Sequence, residues 1–176
     1  MSPPWNQTTK DLQSEQTFAQ SVENDSLHLT KLSKLKFGVD FAIVSKSLLV
    51  GNQPKILGVA EIKTRNTSMN QYPTLYLNLT KWMALRRYAL LSELPFAILV
   101  RWQDQDAMYY ETPDNDILTT DTGHTHDSSR FEVSWGGRQD RGQEQDMNPM
   151  VHIPIGFFEP IEMLDHFLHL WHVKKW

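Results

Sequence analysis

The chain has 176 residues, 40% hydrophobic and 22% charged, enough for one compact domain with a substantial core and too few for two. Cysteine is absent, which excludes a disulfide framework and a thiolate metal site and fits a reducing compartment. The formal net charge of -4 argues against a uniformly basic nucleic-acid binder, and no apolar run nears the ~20 residues that span a bilayer.

Residues 1–10 are polar, carry two prolines and lack the apolar stretch of a secretory signal; they are expected to form a loose arm. Residues 11–24 place Leu12, Glu15, Phe18, Ala19 and Val22 at roughly helical spacing. Residues 27–36 alternate as a short strand, and residues 37–45 (Phe-Gly-Val-Asp-Phe-Ala-Ile-Val-Ser) form a strong strand candidate. Ser47 to Val50 continues to the turn Gly51-Asn52-Gln53-Pro54, and Lys55 to Lys63 makes the next strand. Consecutive apolar positions in both long strands predict central strands covered on both faces.

Residues 64–77 read as a polar loop ending in Tyr-Pro-Thr-Leu-Tyr-Leu. Asn78 or Thr80 can cap a helix over residues 79–93, with Leu79, Trp82, Met83, Leu85, Ala89 and Leu90 apolar and Pro95 as its stop. Phe96 to Trp102 and Ala107 to Glu111 form a strand pair. Short strands are expected at residues 130–135 and 151–155, and an amphipathic helix at residues 161–173. The expected organisation is a core over 11–111, an acidic surface loop over 112–129 and a C-terminal extension over 130–176. The strand–helix–strand passage through 55–102 implies an α/β fold with a mixed sheet flanked by helices.

Charge is segregated along the chain. Lys31 to Arg87 contains ten bases and only two acids, Asp40 and Glu61, whereas residues 103–129 hold seven acids and no Lys or Arg. A phosphate ligand responds to the local field more than to the total. Glu61 and Lys63 project from one face of their strand, about 7 Å apart, while Ile62 points into the core. If the two long strands pair antiparallel, Asp40 approaches Glu61 across the ladder. Close carboxylates repel unless a cation lies between them, and magnesium suits oxygen ligands beside phosphate. The pattern points to a metal held against a polyanion, hence to phosphodiester cleavage. Carboxylates beside Lys63 favour its ammonium form, so its expected role is to orient the attacking water and stabilise charge on phosphorus. A lone Glu-x-Lys is more often an ordinary surface ion pair. Here the apolar strand before it, the lone upstream Asp and the scarcity of other acids favour a site.

Val39-Asp40-Phe41-Ala42-Ile43-Val44, a turn and Leu57-Gly58-Val59-Ala60-Glu61-Ile62-Lys63 resemble the core of the PD-(D/E)XK nuclease superfamily. The likeness spans residues 11–102, with a phage-type look, and Val39 replaces the proline that often precedes the first acid. It implies a restriction-endonuclease-like α-β-β-β-α-β core and a magnesium-dependent DNA nuclease (manganese substituting) acting in the cytoplasm, that of the host cell for a phage enzyme. By the resemblance Asp40 and Glu61 are metal ligands, Lys63 is the catalytic lysine, and the Ile62 carbonyl is a further ligand. Glu23, or else Glu15, would supply an acid from the first helix. Alternatives are a noncatalytic nucleic-acid-binding or structural module of a replication or packaging assembly, and an RNA-directed nuclease.

Lys36, Arg65, Lys81, Arg86 and Arg87 are candidate DNA-backbone contacts, Lys81 favoured by its place near a helix start. Tyr88 is read as a packing residue. His124-x-His126 reads as an exposed loop rather than a metal clip. His166, His169 and His172 read as a surface stripe, and the aromatic-rich final helix as a possible homodimer contact. Gly136-Gly137-Arg138 and Arg141-Gly142 read equally as a linker or as an arm beside DNA.

Overall fold

The computed structural model describes residues 9–32, 38–50, 53–114, 116–119, 126–128, 131–136 and 147–174. In chain order they form α1 (Thr9–Val22), β1 (Leu27–Lys31), β2 (Phe41–Val50), β3 (Gln53–Thr64), β4 (Thr74–Asn78), α2 (Leu79–Ser92), β5 (Phe96–Arg101) and β6 (Asp106–Glu111). Then come β7 (Asp116–Ile117), β8 (His126–Asp127), β9 (Val133–Gly136), β10 (Asn148–Pro154), β11 (Glu159–Pro160) and α3 (Leu164–Lys174). Lys36, His124, Arg138 and Arg141, and most of the expected arm, lie outside the described residues.

The main sheet has the order β1-β2-β3-β5-β6-β7-β8, with β11 added to β6. It is mixed: β3 and β5 run parallel, joined by the passage through α2, and the remaining pairs are antiparallel. The expected strand at 37–45 and the short piece after it are one strand, β2, whose pairing with β3 shifts register between Ile43 and Val44 and again before Leu49. Such irregularities bend a strand and raise its twist without ending it.

Period-two alternation divides the sheet between two cores. Val59, Phe96, Ile98, Val100 and Tyr109 face Trp82, Leu85 and Ala89 of α2. Ala60, Ile62, Leu99, Met108 and Tyr110 face Phe18 and Ala19 of α1 and Leu164, Phe167 and Leu168 of α3. The apolar side of the final helix is therefore occupied by the sheet, each fully buried large side chain contributing about 1.5–3 kcal/mol. Of its histidines, His166 and His169 are exposed, and His172 Nε2 lies 3.1 Å from the Leu57 carbonyl oxygen.

A second sheet, β4-β10-β9, lies against α2 through Leu75, Leu77, Val151 and Ile153. It draws Thr74–Asn78 out of the stretch read as a loop and binds it to the C-terminal region, with Leu77 opposite Val151. On α2 the buried stripe is Trp82, Leu85 and Ala89, whereas Met83 and Leu90, read as part of the apolar face, are exposed. Asn78 caps this helix by accepting from the Thr80 amide at 2.8 Å. The helix ends before Pro95 takes effect, at Glu93, whose left-handed backbone (φ 53°) turns the chain so that the following amide, that of Leu94, also donates to the Ala89 carbonyl, at 3.3 Å. Tyr88 packs against the core on this face.

Candidate active site

Three elements meet at one end of α2. Phe41 pairs with Ala60 at the start of β2, which places Asp40, just before the strand, beside Glu61. Glu61 and Lys63 leave β3 on the face covered by α2, and Ile62 turns the other way into the opposite core. Gly38 makes the approach possible: a Cβ there would lie 2.5 Å from the Ala84 Cβ. Any side chain would push the Asp40 segment off the helix that it rests on.

Lys81, in the first turn of α2, completes the cluster. Its Nζ lies 2.6 Å from Asp40 Oδ1 and 3.2 Å from Glu61 Oε2. Lys63 Nζ lies 2.5 Å from Glu61 Oε1. That ion contact does not have hydrogen-bond geometry, so Oε1 is a buried acceptor without a hydrogen-bond partner. Glu61 is 0% exposed, while the side chains of Asp40, Lys63 and Lys81 keep 28%, 26% and 31%. The cluster thus opens to solvent on the side of those three residues.

Burial pushes the Glu61 carboxyl above the usual carboxylate range; Lys63 and Lys81 oppose this, and the Asp40 charge reinforces it. Burial also works against ionised Asp40, but a hydrogen bond shared with Glu61 and the charges of Lys81 and Lys63 outweigh it, so Asp40 titrates below the usual range. Desolvation likewise opposes the Lys81 charge, and the two carboxylates more than compensate, raising its pKa. A raised Glu61 destabilises the fold when ionised, and that cost is relieved as pH falls through its folded pKa towards the ordinary 4.5. A lowered Asp40 stabilises the fold above 3.8, and that contribution is lost as pH falls below 3.8 through its folded pKa. Urea midpoints measured from neutral to acid pH should therefore rise and then fall. The rise should vanish in Glu61→Gln; its persistence there would assign it to another group.

The remaining sequence candidates are distributed differently. Glu15 pairs with Lys31 at 3.0 Å, and Glu23 Oε1 accepts from the Leu29 amide at 3.2 Å. Both belong to the α1 region, whose Phe18 and Ala19 lie in the core on the Ile62 side of the sheet. Arg101 ties α1 there: its guanidinium lies 4.3 Å from the Phe18 ring centre, donates to Ser21 Oγ at 2.9 Å and grips Asp106. Neither glutamate is brought to the Asp40–Glu61 cluster, which corrects the expectation of an acid from the first helix. Among the described residues, no three His, Cys, Asp or Glu side chains are grouped to hold a metal.

Arg86 turns inward rather than towards solvent. Its Nε lies 3.4 Å from Glu111 Oε1, and its guanidinium lies over the Trp82 ring. Glu111 is a second buried carboxylate on this face and also accepts from the Tyr109 hydroxyl and, at 2.9 Å, from Ser128 Oγ. Arg65 donates to the Tyr76 carbonyl at 3.0 Å, and Arg87 is exposed on α2. Sequence reasoning missed the Glu111 pair. Its only signal was an acid ending an apolar strand. Also unforeseen was a ring pair on the small sheet, the exposed Tyr76 and the half-buried His152, with ring centres 4.4 Å apart.

Two carboxylates suffice for magnesium, which binds through one or two of them and keeps several waters for substrate oxygens to replace. Glu61 Oε2 and Asp40 Oδ1 fit such an ion once Lys81 is out of the gap between them. No described helix is long and apolar enough to cross a membrane. A search of curated proteins finds no match. Residues 1–161 match the family described as "Phage putative PDDEXK endonuclease", a match that ends just before α3. With this match over most of its length, the chain belongs to that family of the PD-(D/E)XK nuclease superfamily.

Proposed function

We propose that the chain is a magnesium-dependent nuclease that hydrolyses phosphodiester bonds of DNA, leaving 5′-phosphate and 3′-hydroxyl ends. The observation that carries this reading is Glu61: a fully buried carboxylate beside a second acid, with a lysine ammonium against each of its oxygens. Burying a charge is costly, and such a group is retained where chemistry uses it. When bound, magnesium (or manganese in its place) polarises the phosphodiester and makes its water a better nucleophile. Asp40 and Glu61 supply the anionic oxygens for the ion, and the Ile62 carbonyl between Glu61 and Lys63 is the further ligand proposed. Lys63, a quarter exposed and held by Glu61, orients the attacking water and stabilises charge growing on phosphorus. Lys63, Arg65 and Arg87 supply positive charge along the substrate backbone. Arg86 serves Glu111 instead.

A noncatalytic nucleic-acid-binding or structural module is the competing reading. Two observations favour it: Lys63 and Lys81 together already balance both carboxylates, and the described residues group no third acid with them. The two are separated with labelled linear, circular, branched and single-stranded DNAs, with and without magnesium. The nuclease cuts at least one substrate only with magnesium and loses cutting in Lys63→Ala. Equal binding by both proteins with no cutting of any substrate would establish the module.

A further inference from the structure

We infer that Lys81 is a displaceable occupant of the cation position, an internal ammonium that holds Asp40 and Glu61 together until a divalent ion replaces it. This rests on the reading of those two acids as a cation site. One nitrogen lies within 3.2 Å of oxygens from two carboxylates, one on β3 and one at the entry to the neighbouring β2, the place that an ion shared by the two acids would take. Local charge makes the two occupants mutually exclusive. Asp40 and Glu61 are balanced by Lys63 and Lys81, so a divalent cation added to the same oxygens overcharges the cluster unless one ammonium leaves.

Lys81, whose ammonium contacts both acids where that of Lys63 contacts Glu61, is the one in the ion's place. Its side chain is about a third exposed, giving it a path to solvent on the open side of the cluster. Its backbone stays fixed, because the next residue, Trp82, is 4% exposed and packs against Phe96, Tyr109 and Phe131. The helix does not hold the ammonium in place. A cation in the first turn opposes the helix dipole, so the carboxylates alone retain it. The same helix end attracts anions, so a released Lys81 faces the region where a substrate phosphate is most welcome. Ion entry and phosphate capture are thereby coupled through one side chain, which makes Lys81 a positioning residue.

The test is calorimetric titration of manganese and magnesium into the full chain, with near-ultraviolet circular dichroism to check folding and melts in EDTA. If the state with Lys81 withdrawn is a minor one, apparent ion affinity falls by its population. Lys81→Met should then bind manganese at least about tenfold more tightly than wild type while melting lower in EDTA, and manganese should close that gap. Lys81→Arg, which keeps the charge and can grip both acids, should bind manganese no more tightly than wild type and serves as the comparison if the Met variant does not fold. A purely structural lysine would give weaker ion binding on removal. Unchanged or weaker binding by folded Lys81→Met, or tighter binding by Lys81→Arg, overturns the inference and leaves the cation site standing. Binding by Lys81→Met but not by wild type overturns displacement and makes Lys81 a permanent substitute. Absence of binding by both overturns the cation reading and the inference with it.

Discussion

Replacing Glu61 by Gln is expected to lower magnesium-dependent cleavage by at least about 10³-fold, since on the proposed function it removes a charged ion ligand. The same change should leave folding nearly intact. Gln fills the same volume, and the side chain loses the desolvation cost that pushes the native carboxyl up. Lys63 and Lys81, each at least a quarter exposed, turn to water instead of remaining stranded. A change in stability of no more than about 1 kcal/mol follows. Urea unfolding and single-turnover cleavage on one preparation decide the matter. A variant that still cuts within tenfold of wild type removes Glu61 from the chemistry. One that unfolds outright makes its loss of cutting uninformative and assigns the residue to the fold.

The largest effect on stability is expected from Trp82→Ala. Trp82 packs edge-on to Phe96 at 5.7 Å and tilted to Tyr109 at 5.8 Å and Phe131 at 5.6 Å, so it joins α2 to the main sheet and to the segment leading into β9. Truncating a buried tryptophan leaves a cavity that the surrounding rings fill only partly, at a cost of about 3–5 kcal/mol. For a chain of this size that corresponds to a melting temperature lower by roughly 10 °C. Because Lys81 precedes this anchor, the loosened helix should also weaken the hold on Asp40 and Glu61, and ion affinity should change together with stability. A loss under 1 kcal/mol would show that α2 is held by its other contacts.

The sequence showed the two long strands and the Glu61–Lys63 spacing because their signals are local. Continuous apolar runs mark central strands, and alternation alone puts residues 61 and 63 on one face. α1 was readable despite its thin apolar stripe, since Phe18 and Ala19 suffice to seat it. β4 was not: only Leu75 and Leu77 of its five residues are buried, and its partner β10 lies more than seventy positions further on. Nothing near Thr74 announces that pairing. Lys81 shows the same limit at the site. Its helix-start position was visible and suggested a phosphate contact, but its seat between the acids depends on how α2 crosses the sheet and on the close approach at Gly38. Arg86 is the converse case, a base on a visible helix whose partner Glu111 is set by tertiary packing.

The way the last stretch of chain is threaded has a consequence during synthesis. β10 completes the small sheet, β11 extends β6, and α3 covers the face behind Ile62. On the ribosome, the first hundred residues already carry Asp40, Glu61 and both lysines, yet the α2 side of their platform waits for β10, and the opposite side for α3 beyond residue 164. Pairings so distant along the chain form slowly. The surface around Asp40 and Glu61 therefore gains its covering only after residues far downstream of it have been made.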